Sequence, residues 1–242
     1  MKKNEAGKNR DSATGKISKK IRLELTVNGI CSYLPGRTWI SHAFWAKKLA
    51  PKLYEDLINK GFRRCGYHFY RNCCPECEAC IPIRLDVAGF SPSKSQRRAL
   101  KKNSDIKIVC HKARFEEEGF SLYSKYCMDR HGSRPAENDY TNFLIDSPVN
   151  TQIMRYYCES QIIGLGWIDV LPNSLSSVYF AFDPDHAWRS LGVYSLLKEA
   201  ELCKKLKKQW LQMGFWVEGC QKMSYKNNYK PCHYLKKGKW QD

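Results

Sequence analysis

Apolar positions recur every second residue from Ile21 to Val27, where Leu23, Leu25 and Val27 alternate with Arg22, Glu24 and Thr26. This is the pattern of a strand with one buried face. Cys31-Ser-Tyr-Leu-Pro-Gly-Arg37 breaks the alternation and reads as a loop punctuated by Pro35-Gly36. Phe44, Leu49, Leu53, Leu57 and Ile58 then fall near helical spacing, with Gly61 as the stop. Phe62–Tyr70 and Ile81–Val87 read as strands, and the thiol-dense Cys73–Cys80 between them fits no regular element. A helix is predicted from an N-cap at Ser93 to Lys102. A short strand follows over 106–110, then a helix over Phe115–Arg130 with Phe115, Phe120, Leu122, Tyr123 and Tyr126 inward.

Downstream the pattern predicts a single sheet. Thr151–Cys158 and Gln161–Val170 form a hairpin about Glu159-Ser160, and Ser176–Phe182 is the next strand. Leu191–Lys208 is an amphipathic helix with Leu196, Leu197, Ala200, Cys203 and Leu206 inward, and Trp210–Val217 is the strand after it. Hairpin, strand, helix, strand implies a mixed α/β (α+β) fold with one crossover. The chain divides into a disordered basic tail (1–20), a cysteine-rich N-terminal domain (21–105) and a sheet domain (106–242).

Charge narrows the function. The 242 residues carry 41 Lys+Arg against 24 Asp+Glu, a net +17, and the 43% apolar content is that of a globular chain. No apolar run approaches the ~18 residues of a membrane span, and no apolar segment of a secretory leader follows the basic start. A cytoplasmic protein with no membrane partner is expected. The cationic excess calls for a polyanion, and nucleic acid is the commonest. Lys94, Arg97, Arg98, Lys101 and Lys102 sit at i, i+3, i+4, i+7 and i+8, which places five cations on one helical face with no acid in the helix. Such a face suits a phosphate backbone.

Three further segments carry chemistry. Cys74-x-x-Cys77-x-x-Cys80, with Cys31 upstream, offers four soft ligands for tetrahedral Zn²⁺ or an iron–sulfur cluster. Cys73 is the spare thiol, and the isolated cysteines read mostly as small core residues. Arg189-Ser190-Leu191-Gly192-Val193-Tyr194-Ser195 opens a helix and forms a candidate anion loop. It is similar to the pyrophosphate loop of GCN5-related acyltransferases, but Tyr194 replaces a small residue there, which argues against coenzyme A. Lys222, Tyr225 and Lys226 follow the last strand and suit either a nucleotide end or a packed strand with snorkelling lysines.

Taken in order, Cys31–Arg37, Gly61-Phe-Arg-Arg64, the three spaced cysteines, Pro82-Ile-Arg84, Pro92–Arg98, Ser176–Tyr179, Asp183-Pro-Asp185, Ser190-Leu-Gly192 and Gly219–Lys226 resemble the bacterial aspartate/glutamate leucyltransferases. These are relatives of the eukaryotic arginyl-tRNA–protein transferases, and the resemblance covers roughly residues 21–242. It implies a cysteine-bearing N-terminal domain joined to a GCN5-related acyltransferase-like domain. It also implies transfer of leucine from aminoacyl-tRNA to the α-amine of proteins that begin with Asp or Glu, creating an N-degron. Arg37, Arg84, Lys94 and Arg97 are the candidates to read the acceptor carboxylate, within a matched segment that also holds Ser95, Gln96, Arg98 and, just beyond, Lys101. The tRNA 3′ end is expected along Ser190–Ser195, beside Arg189, and along Lys222–Lys226. Asp183 and Asp185 either orient the amine or cap a turn. The alternatives are arginyl transfer, a zinc-containing RNA-binding module without catalysis, and an ordinary acetyltransferase.

Overall fold

The computed structural model describes residues 21–242, so the basic tail read over 1–20 lies outside the described residues, as do the side chains of Gln221 and Lys222. In chain order the elements are β1 (Glu24–Ile30), β2 (Thr38–Trp45), α1 (Pro51–Asn59), β3 (Arg63–Cys65), β4 (His68–Asn72), β5 (Cys80–Asp86), α2 (Lys94–Lys102), β6 (Ile106–Lys112) and α3 (Glu117–His131). There follow α4 (Glu137–Tyr140) with a π turn (Thr141–Ile145), β7 (Thr151–Cys158), β8 (Gln161–Val170), β9 (Ser174–Phe182), a 3-10 turn (Pro184–Arg189) and α5 (Leu191–Lys205). The chain ends with β10 (Trp210–Val217), α6 (Gln221–Ser224), a 3-10 turn (Tyr225–Asn228), β11 (Cys232–Lys236) and β12 (Lys239–Gln241). Among the described residues no helix is long and apolar enough to cross a membrane.

Two sheets result: a small antiparallel one in the order β1-β2-β4-β3, and an eight-stranded one in the order β12-β11-β5-β10-β9-β8-β7-β6. In the large sheet β9 and β10 are the one parallel pair, joined by the α5 crossover. Alternate side chains of β7 enter opposite cores, as the strand period requires, and a bulge at Ile163, opposite Tyr156 and Tyr157, shifts the alternation on β8. Met154, Tyr156 and Ile163 pack under α2 and α5, while Ile153, Ile162 and Leu165 pack under α3. The α1 helix covers the small sheet through Tyr54, Leu57 and Ile58 against Phe44 and Phe69.

A buried ion pair joins the sheets. Arg64 of β3 donates to both carboxylate oxygens of Asp169 on β8, at 2.9 and 2.7 Å, with Tyr54 and Thr151 hydroxyls on the same carboxylate. Glu55 of α1 accepts from the Asn173 amide and the Ser174 hydroxyl, both at 2.8 Å. At the tip of the β3–β4 hairpin Gly66 has φ +57°, and a Cβ there would stand 2.0 Å from the Asn142 carbonyl oxygen, so only glycine fits.

Several expected boundaries move. The first strand starts at Glu24, and its apolar residues Leu25 and Val27 are 65% and 66% exposed, because β1 is the edge of a sheet whose helix covers only the Phe44–Phe69 region. Phe44 belongs to β2 rather than to a helix, since Pro51 fixes the helix start. Residues 62–70 split into a hairpin at Gly66. Phe115 precedes α3 and is partly exposed beside Phe120 and Tyr140, and Leu206 lies beyond α5, also partly exposed. The sheets do not divide at residue 105: β5 lies between β10 and β11 in the large sheet.

Candidate functional site in the opening between β9 and β10

The parallel pair holds together only where Ser174–Ser176 meets Trp210–Gln212. Beyond that rung β9 pairs with β8 alone, and β10 bulges against β5 between Gln212 and Phe215, with Gly214 at φ +87°. The strands therefore open toward their carboxyl ends, the place where open α/β sheets receive ligands. Side chains occupy the backbone groups that lost their ladder. Arg63 Nη2 donates to the Ser177 carbonyl at 2.6 Å, and Lys226 Nζ to the Phe215 carbonyl at 3.1 Å. A Cβ on Gly214 would meet Lys226 Nζ at 3.3 Å and Arg63 Nη2 at 3.6 Å, so two cations converge on the bulge.

Facing them from α5 is Glu199, fully buried, with both carboxylate oxygens lacking a hydrogen-bond partner. Burial lifts its pKa to about 8, and the nearby Ser177 side chain, short of a hydrogen bond, and the Lys226 charge only partly offset this. Burial, and then the Arg63 charge, lower Lys226 to about 7, while Glu199 opposes them. At the last paired rung Ser176 Oγ and Gln212 Nε2 are also buried without partners. Buried polar groups left unpaired cost free energy unless a ligand or water completes them.

A second cluster adjoins this opening. Cys31, Cys74, Cys77 and Cys80 line one cavity of about 80 Å³ together with Tyr33, Arg37, Tyr70 and Phe215. Amide N–H groups of Leu34 and Ile40 point at Cys31 Sγ and Cys74 Sγ, each at 3.4 Å. Cys74 and Cys77 flank a tight turn with Glu76 at φ +51°. Burial, and then the three other thiols, raise Cys80 to about 11, opposed by Asn72. A cation would reverse that cost. The donor set fits a soft tetrahedral ion, and Cys73 is not among the lining residues. Among the described residues no three Cys, His, Asp or Glu side chains already stand together as a preformed cation site.

The expected residues fare unequally. On α2, Lys94, Ser95, Arg97, Arg98 and Lys101 are exposed as read, but Gln96 is buried. It closes a capping box with Ser93 and donates to the Asn228 carbonyl, so its place is structural. Arg37 lies at the thiol cavity and donates to the Glu76 carbonyl. Arg84 is sandwiched between Trp210 and Trp240, 3.6 and 4.2 Å from the ring centroids, and burial lowers it to about 10. Arg189 is held by a bidentate pair with Asp105, both contacts 2.9 Å, rather than offered to an anion.

Leu191 and Tyr194 are buried in the core, the latter against Tyr156, so Tyr194 does not obstruct the loop and its bulk bears on no ligand. Ser190 adopts φ +57°, and Gly192 faces open space. Asp183 caps the Pro184 turn, and both Asp183 and Asp185 pair with Lys125. Tyr225 is half-buried beside Lys226, and Lys222 falls in α6.

Sequence reasoning missed Arg63, Glu199 and Trp188. Arg63 stood inside Gly61-Phe-Arg-Arg64, and Glu199 interrupts the apolar stripe of Leu196, Ala200 and Cys203. Trp188 is 60% exposed and flanked by Lys102 and Arg189 at the end of the α2 face.

Comparison with known proteins places these features in context. Residues 29–98 match the N-terminal model and residues 118–236 the C-terminal model of arginine-tRNA-protein transferase. The chain is 40% identical to an aspartate/glutamate leucyltransferase of Alcanivorax borkumensis over 88% of its own length and 90% of the relative's. It is 37% identical to that of Saccharophagus degradans, covering 91% and 96%. Among solved structures, FemX aligns over 84% of this chain and 82% of its own with TM-score 0.46 and 6% identity.

Proposed function

This chain belongs to the arginine-tRNA-protein transferase family, alongside aspartate/glutamate leucyltransferases, and from that premise we propose that the opening between β9 and β10 is where donor and acceptor meet. The protein is an aminoacyltransferase that moves leucine from tRNA to the N-terminal α-amine of proteins beginning with Asp or Glu. The observation that carries the placement is the opening itself, at the carboxyl ends of a parallel pair, with Arg63 and Lys226 held there by backbone carbonyls alone and Glu199 buried opposite them. The crossover of β9, α5 and β10 also suits the acyltransferase-like reading of this part of the chain.

The aminoacyl ester is already activated, so positioning supplies most of what is needed. The acceptor nitrogen attacks the ester carbonyl carbon, the bond from that carbon to the ribose oxygen breaks, and an amide forms. One proton leaves the nitrogen and one arrives on the ribose oxygen. Lys226, with its pKa near 7, exchanges a proton at neutral pH and is the group in the opening suited to pass it. Glu199, largely protonated at the same pH, keeps the interior from gathering uncompensated charge.

The tRNA body lies on the exposed α2 cations, with Trp188 at their end, and an N-terminal leucine then marks the acceptor for degradation in the cytoplasm. Cys31, Cys74, Cys77 and Cys80, which line one cavity, would hold Zn²⁺ or an iron–sulfur cluster, and the bound group would fix the two loops beside the opening. Zinc and iron content of anaerobically purified protein checks this, and a folded, active, metal-free protein refutes it. For the reaction, tRNA charged with Leu, Arg or Phe is offered with Asp- and Glu-starting peptides. Leucyl transfer is expected, and arginyl transfer alone would overturn the donor assignment.

A further inference from the structure

Resting on that reading of the reaction, we infer that Arg63, with Lys226 beside it, receives the side-chain carboxylate of the acceptor's first residue. Consecutive strand residues point to opposite faces. Arg64 is turned inward and locked on Asp169, which fixes the β3 backbone and aims Arg63 at the opening. The other enclosed guanidinium groups have partners: Arg64 has Asp169, Arg155 has Glu116 and Glu118, Arg189 has Asp105, and Arg84 has two indole faces. Among the described residues Arg63 and Lys226 each hold a backbone carbonyl but no carboxylate within ion-pair distance.

A guanidinium cannot shed its proton to escape this, whereas a lysine can. One Arg63 nitrogen is spent on Ser177, and the rest of the fork is left for an anion. The acceptor supplies it. Its first residue carries a carboxylate two or three bonds from the α-carbon, so an anion at Arg63 brings the α-amine close to Lys226 and Glu199. A neutral Asn or Gln would leave the guanidinium unpaired, and a carboxylate bound bidentately would not. Charge then matters more than length, which admits both Asp and Glu.

The test compares Arg63→Met and Arg63→Lys with the wild type, using Leu-tRNA and peptides that differ only in an initial Asp or Asn. Circular dichroism and tRNA affinity establish that each variant is folded. In the wild type the ratio of kcat/KM for Asp over Asn is expected to be about 100-fold or more. In Arg63→Met it should fall to within a few-fold of one, chiefly through a raised KM for the Asp peptide. Arg63→Lys keeps the charge but loses the fork, so it should retain part of the ratio. Either variant holding the full wild-type ratio overturns the inference. So does a loss of rate for Asp and Asn peptides in equal proportion, which would make Arg63 merely structural. A wild type that transfers leucine to neither peptide overturns the reaction itself, and the inference with it.

Discussion

The cations of α2 and those of the β9–β10 opening carry the same formal charge in opposite surroundings. Lys94, Arg97, Arg98 and Lys101 stand in water, where counterions screen them. Arg63 and Lys226 stand between strands, where burial moves Lys226 by several pH units and leaves Glu199 neutral at the pH where surface acids are charged. Exposed charges act by number and are individually weak. Enclosed charges act by position, and losing one disturbs the rest. The molecule thus keeps an exposed cationic face apart from a pair of enclosed cations.

That contrast is open to attack in three places besides Arg63. The largest effect is expected at Lys226. Lys226→Met should lower kcat by about 10²-fold or more, the usual worth of a positioned proton carrier. Affinity for tRNA should stay within twofold, and the rise of rate with pH near 7 should disappear. An unchanged pH profile would remove Lys226 from proton transfer.

Glu199 comes next, through stability. Its folded pKa of about 8 lies above the usual value, so the protonated form is favoured in the fold. The stability it contributes is whole at low pH and is lost as pH rises toward 8. Lys226 has the opposite sign and acts only above about pH 7. Between pH 5 and 7 the wild type should therefore lose roughly 2–3 kcal/mol that Glu199→Gln does not lose, read by urea unfolding. Parallel pH curves would contradict the enclosure of Glu199.

The smallest effect per residue is expected on α2. Replacing Arg97, Arg98 and Lys101 with Gln should lower the slope of log affinity for tRNA against log salt by roughly 0.7–0.9 per residue. The Asp-to-Asn preference should be unmoved. A change in that preference would merge the two groups of cations.

Legibility in the sequence followed the range of the interactions. The β7–β8 hairpin came out residue for residue because its pattern is local, and α2 because Ser93 announces a cap, while the capping role of Gln96 went unread. The shared cavity of Cys31, Cys74, Cys77 and Cys80 was half legible, because close spacing keeps three of them on one short loop while Cys31 arrives from far upstream. Leu25 and Val27 misled because alternation reports a pleat, not which face another layer covers. The membership of β5 was hidden since its partners Trp210–Val217 and Cys232–Tyr234 lie more than a hundred residues on. Arg63 was hidden because only the bulge at Gly214 makes it matter, and Glu199 because one acid on an apolar stripe looks like an ordinary interruption.

The position of β5 has a consequence for synthesis on the ribosome. A strand made about a third of the way along the chain must wait for β10 on one side and β11 on the other. Until Cys232–Lys236 and Trp240 emerge, one edge of β5 is bare, and Arg84 lacks the indole of Trp240. Pairings this distant in sequence close late. A nascent chain stalled before Cys232 would hold α1, the small sheet and the β7–β9 meander, yet it would carry an open strand edge of the kind that chaperones shield. The enzyme that relabels the beginnings of other proteins closes its own sheet with a strand made long after the one it flanks.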